Sequence, residues 1–151
     1  MTYPERIDTA APVIARHDIS IDAPLERVWR LHTDVTGWSL WQPDISTSRS
    51  DGALTVGSTF HWSTAGLDIA STVYALDVPH RILWGGPAHG ITGIHLWTFQ
   101  PGQHGTVLVR TEESWDGEPV RADPAGIQQA LDDSLKHWLG HLKKAAESDQ
   151  A

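Results

Sequence analysis

The sequence predicts an α+β domain in which a curved antiparallel sheet of about six to seven strands wraps round one long C-terminal helix, with two short helices after the first strand. Three observations predict it. The middle of the chain reads as strand after strand, separated by turn residues. The last quarter carries a single apolar stripe at helical spacing. The 151 residues suit one core rather than two. Strands in series with a terminal helix put the helix on one face of the sheet. A long sheet twists and curves, so the helix fills its concave side, and a cavity can open where the helix leaves the sheet uncovered.

Residues 1–12 hold two prolines without periodicity and are expected to form a loose lead-in; 13–147 make the domain, and 148–151 a frayed tail. From Val13 to Asp22, Val13, Ala15, His17, Ile19 and Ile21 alternate with polar residues, a half-buried strand. Asp22-Ala23-Pro24 starts a helix, with proline in the first turn where its missing N–H costs nothing. Its apolar stripe is Leu25, Val28, Trp29 and His32, and Thr36-Gly37 breaks it. A second short helical piece carries Trp38 and Trp41 up to Pro43. Strands are then expected over Ile45–Ser50, Ser58–Thr64, Leu67–Val78, Arg81–Trp84, Ile91–Gln100 and Thr106–Trp115. Gly85-Gly86-Pro87, continuing to Gly90, reads as a mobile lip over the cavity. Asp123-Pro124 is an N-cap followed by proline at the first helical position. The helix it opens runs to about Glu147, ~36 Å long at 1.5 Å per residue, with Ile127, Ala130, Leu131, Leu135, Trp138 and Leu142 in its stripe.

Charge and composition exclude several function classes. The net charge of −8 offers no field for a phosphate backbone or an anionic membrane, so no nucleic acid and no membrane partner is expected. No apolar run reaches the length of a membrane span, and the N-terminus lacks the features of a signal peptide, so a cytoplasmic location is expected. Without cysteine there is no disulfide, thiolate nucleophile or Cys-ligated metal. No Gly-x-Ser-x-Gly elbow is present, and no cofactor motif. Eight tryptophans against two Phe, two Tyr and one Met are unusual, and flat amphipathic rings either fill a core or line a pocket.

Ser20-Ile21-Asp22-Ala23-Pro24-Leu25-Glu26-Arg27-Val28-Trp29 resembles the opening of the START-like, or SRPBCC, superfamily, which has the helix-grip fold. Trp38-Ser39-Leu40-Trp41-Gln42-Pro43, Val78-Pro79-His80-Arg81-Ile82-Leu83-Trp84, Gly93-Ile94-His95-Leu96-Trp97-Thr98-Phe99 with Gly105-Thr106-Val107, and Glu113-Ser114-Trp115-Asp116-Gly117 fit the same pattern in order. The resemblance spans residues 13–145, and within the superfamily the chain looks most like the polyketide cyclase/dehydrase-type group. It implies the fold more strongly than any reaction.

The alternation places His17, His95, Thr111 and Glu113 on faces shared with Trp97, Phe99 and Trp115; Phe60, Trp62 and Trp84 join them. Trp29 and Trp138 lie on helix stripes and are read as core, Trp138 also as a ligand contact. Trp38 and Trp41 are expected to guard the entrance. A buried carboxyl or imidazole finds a partner or shifts its pKa. A Glu113 held protonated would be a general acid and a neutral His95 a base. The same two groups also suit a structural pair, or hydrogen bonds to a ligand without chemistry. His137 and His141, at i and i+4, have metal spacing but read as a solvated helix face, so no metal is expected.

Three functions follow. The first is binding of a small hydrophobic or aromatic molecule in an internal cavity by a monomer or homodimer, with His17, Phe60, Trp62, Trp84, Trp97, Phe99, Thr111, Trp115 and Trp138 as ligand contacts. The second is a cofactor-independent cyclase/aromatase or dehydratase with His95 and Glu113 as its catalytic pair. The third, disfavoured because no exposed apolar stripe remains, is regulation of a partner protein.

Overall fold

A computed structural model describes residues 2–148. Seven strands form one antiparallel sheet in the order β1-β7-β6-β5-β4-β3-β2. They are β1 (Val13–Ile21), β2 (Ile45–Arg49), β3 (Thr59–Thr64), β4 (Leu67–Asp77), β5 (Arg81–Ala88), β6 (Ile91–Pro101) and β7 (Val107–Asp116). After β1 come α1 (Leu25–Thr33) and a 3₁₀ turn over Val35–Leu40. After β7 come α2 (Glu118–Ala122) and the 24-residue α3 (Pro124–Glu147). The Asp123 carboxylate accepts from the Gly126 N–H at 3.1 Å and caps α3.

Two elements differ from expectation. The α2 turn was not predicted; Pro119 near its start reads as a breaker, yet proline suits a first helical turn. More consequentially, β5 does not stop at Trp84. It runs through Gly85, Gly86 and Pro87 to Ala88, paired with Ile94, Gly93, Thr92 and Ile91 of β6. The expected lip is therefore sheet. Glycine permits it, since a Cβ on Gly85 would stand 2.2 Å from the Gly93 carbonyl oxygen.

The lead-in forms no regular element but is docked on the convex face. Asp8 N–H donates to Ser114 Oγ at 2.9 Å, the Arg81 guanidinium to the Glu5 carbonyl, and Tyr3 packs on Tyr74 at 5.4 Å. Ile7 is buried. Of the predicted tail, Ser148 closes α3, and 149–151 lie outside the described residues.

On the concave face α3 buries Leu131, Leu135, Trp138, Leu139, Leu142 and Ala146, which gathers two apolar clusters. One surrounds Trp38, Phe60, Trp84, Trp97 and Trp138; the other joins Val13, Ala15, Val120, Leu131 and Leu135. The site lies at their seam.

Candidate functional site

Register brings the polar groups together. Across the concave face one row of paired residues reads Ala15, Glu113, His95, Trp84 and Val73. The next row reads His17, Thr111, Trp97, Ile82 and Leu76. Because side chains alternate with period two, Thr111, Glu113 and Trp115 of β7 share one face and meet His95 of β6.

Within this group, His95 Nε2 is 2.6 Å from Thr111 Oγ1, and His95 Nδ1 is 3.3 Å from Glu113 Oε1 without the alignment of a hydrogen bond. Trp115 Nε1–H donates to Glu113 Oε2 at 2.9 Å. Oε2 thus accepts a hydrogen bond, while Oε1 is the oxygen that faces His95. Burial raises the Glu113 pKa to about 8, against a smaller opposing effect of the Trp115 hydrogen bond. His95 is held well below the ordinary imidazole value, first by burial and then by the nearby His32. At neutral pH the pair is thus a carboxylic acid beside a neutral imidazole, not an ion pair.

A cavity of about 120 Å³ opens over this pair. Its walls are Trp62 and Trp84 from the first cluster and Ile91 and Trp115 from the second, with Ile69 and Ser71 of β4 between. Gly85, Gly86 and Gly93 line it with bare backbone; a Cβ on Gly93 would stand 3.3 Å from Trp115 Nε1 and 3.7 Å from Glu113 Oε2. Leu67 and His89 stand at the rim, exposed, and His89 Nε2 lies 3.0 Å from the Asp68 carbonyl across it. Wider clefts of about 420 to 610 Å³ lie elsewhere, but their ionisable side chains are not buried. A room that joins apolar walls to a desolvated acid and base is the better candidate, despite its size.

The predicted residues separate into three groups. Trp62, Trp84, His95, Glu113 and Trp115 line the cavity. Phe60, Trp97, Phe99 and Trp138 lie behind it, packed into the first cluster, and Thr111 is buried under His95. His17 stands apart, 2.7 Å from Asp132 of α3, where it ties β1 to the helix. Trp38 does not guard an entrance: it is 1% exposed, donates to the His32 carbonyl at 2.6 Å and packs on Phe60, Trp62, Trp84 and Trp138. The half-buried Trp41 lines a separate cleft with Leu31 and Leu40. His137 is exposed, and among the described residues no three His, Asp or Glu side chains gather as a metal site.

Sequence reasoning missed His32 and the glycine floor. His32 is fully buried, 4.3 Å from the Trp97 ring, and burial lowers its pKa to about 3. Its signal was an ionisable residue within the apolar stripe of α1.

Residues 12–147 match the family model described as polyketide cyclase / dehydrase and lipid transport. No curated protein matches the chain. Among solved structures, a hypothetical protein from Helicobacter pylori superposes with a TM-score of 0.82 at 17% identity, covering 97% of this chain and 99% of that one. A START superfamily protein from Mycobacterium smegmatis gives 0.77 at 12% identity, covering 89% and 97%. The di-domain ARO/CYC BexL from the BE-7585A biosynthetic pathway gives 0.68 at 18% identity, over 94% of this chain and 53% of its own. These likenesses establish the fold, a curved antiparallel sheet wrapped round a long C-terminal helix.

Proposed function

We propose, from the premise that this chain belongs to the polyketide cyclase / dehydrase and lipid transport family, that it binds one small aromatic or hydrophobic molecule in the cavity of the concave face. The observation that carries the reading is the apolar room whose inner wall holds a protonated Glu113 and a neutral His95. Flat indole walls suit a flat ligand. A cavity of this order holds about one aromatic ring, since an engineered apolar cavity of ~150 Å³ takes up benzene. Glu113 can donate to a ligand oxygen, and His95 can exchange a hydrogen bond with it through Nδ1.

A second reading rests on the same two groups. An acid and a base side by side, both uncharged, are the equipment for enolising a ketone: Glu113 would protonate the developing enolate oxygen while His95 accepts the C–H proton. Thr111, beneath His95, and Trp115, on Glu113, would be positioning residues.

Titration with a panel of one- and two-ring aromatic compounds, followed by tryptophan fluorescence, tests the first reading. Trp62, Trp84 and Trp115 line the cavity, so a saturable change is expected; no response across the panel would contradict it. Glu113→Gln separates the two readings. Retained affinity with lost turnover marks chemistry, whereas a modest loss of affinity in a protein with no turnover marks binding alone.

A further inference from the structure

Single apolar side chains in water are ordinary, but a cluster of them marks a contact surface. Among the described residues four large apolar side chains are exposed: Leu40 (89%), Val78 (66%), Val56 (54%) and Leu67 (43%). Leu67 belongs to the rim of the concave-face cavity. Leu40 and Val78 belong instead to two clefts of about 420 Å³ each. One lies between α1, the β2–β3 loop and the end of β4, over Trp29, Leu54, Leu76 and Val78. The other lies between α1, the 3₁₀ turn and the C-terminal end of α3, over Leu31, Leu40 and Trp41. The 3₁₀ turn accounts for Leu40. With three residues per turn, Val35 and Trp38 share its buried side and Leu40 points away from it.

Arg30 and Asp34 line both clefts, so the outward face of α1 is the ridge between them. The two residues stand four apart, about one helical turn. Both are exposed, and neither belongs to an ion pair among the described residues. The other charge that lines a cleft is Arg27, whose guanidinium donates to the Ala146 carbonyl at 2.7 Å. This face thus carries two cations and one anion, in a chain of net charge −8. Two copies that repel one another elsewhere can approach here.

We infer that this face is a homodimer interface, in which the α1 ridge of one copy packs antiparallel on that of a second copy. The inference goes beyond the binding reading and does not rest on it. A two-fold axis across α1 reverses the order of the charges, so Arg30 of each copy meets Asp34 of the other. The same axis sets Leu40 and Trp41 against their own counterparts, and Val78 against its own. Trp and Arg are the residue types that anchor protein interfaces. A purely acidic partner would satisfy Arg30 and leave Asp34 unmet, and a basic one would do the reverse. A second copy satisfies both. No residue that lines the concave-face cavity lines either cleft, so both cavities of the dimer stay open.

Sedimentation equilibrium on the full chain tests this. Wild type is expected to reach twice its 16.6 kDa at about 100 µM protein. Arg30→Asp and Asp34→Arg each set like charges face to face and should weaken the dimer about tenfold or more. The double variant Arg30→Asp/Asp34→Arg should restore it. Leu40→Ser should also weaken it about tenfold, and melts followed by circular dichroism show that each variant folds. A monomeric wild type would overturn the inference. Should that monomer cosediment with phosphatidylcholine–phosphatidylserine vesicles, and Leu40→Ser not, the face serves a lipid surface instead. A dimer unchanged by both single charge variants and by Leu40→Ser would place the interface elsewhere. A double variant no better than the singles would overturn the reciprocal pairing of Arg30 with Asp34, and the antiparallel packing with it.

Discussion

Glu113 and His32 carry opposite pH signatures, and together they predict how stability varies with pH. Glu113 keeps its proton in the fold up to about 8, against 4.5 ordinarily. Between those values the folded chain binds the extra proton, so this group's contribution falls as pH rises and is fully unfavourable above about 8. His32 stays neutral down to about 3, against an ordinary 6.5. Below 6.5 it is the unfolded chain that binds the extra proton, so stability falls with acid; His95 acts in the same direction. Each group contributes a slope of at most about 1.4 kcal/mol per pH unit inside its window. Stability should therefore peak near pH 6.5 and decline on both sides. In Glu113→Gln the alkaline decline should vanish while the acid one remains. Urea unfolding across about pH 4.5 to 9 reads both limbs, and a wild-type profile flat from pH 6.5 to 8 would show that Glu113 is not held protonated.

Among the elements, β5 and β6 decide whether the cavity exists. Gly and Pro normally mark loops, which is why Gly85-Gly86-Pro87 reads as a lip in the sequence. What one strand's residues cannot reveal is that a second glycine, Gly93, lies opposite Gly86 on the next strand. Together with Gly85 they leave a strip of sheet with no side chains, and that strip is part of the cavity wall. Two substitutions separate its roles. Gly85→Ala sets a methyl 2.2 Å from backbone and should cost several kcal/mol, of the order of ~3, because β5 and β6 must part. Gly93→Ala meets the Trp115 indole at 3.3 Å and narrows the cavity. It should leave the melting temperature within about 4 °C while weakening ligand about tenfold, ~1.4 kcal/mol. Thermal melts and calorimetry on the two variants check this; a Gly93→Ala protein that binds as well as wild type would place the ligand elsewhere.

For the molecule as a whole, period and punctuation made most of the architecture legible. The alternation of Val13, Ala15, His17, Ile19 and Ile21, and the stripe from Leu131 to Leu142, lead to the sheet and helix the structure contains. The candidate site was legible in part, since alternation assigns a face to His95, Thr111, Glu113 and Trp115 but not a depth. Depth depends on where the helix and the 3₁₀ turn fall. Trp38, expected at the entrance, is instead buried against Phe60, Trp62, Trp84 and Trp138, and His32 of α1 packs on Trp97 and Phe99. His17 shows the same limit, because its face was read correctly but Asp132 comes from a helix more than a hundred residues later. The central claim is that this filled interior still keeps one working cavity. Calorimetric titration of wild type and Ile69→Trp with small aromatic ketones tests it most directly, since the added indole would occupy the space between β3 and β5. The account predicts one saturable site in wild type and none in a folded Ile69→Trp protein; the same binding in both, or none in either, would contradict it.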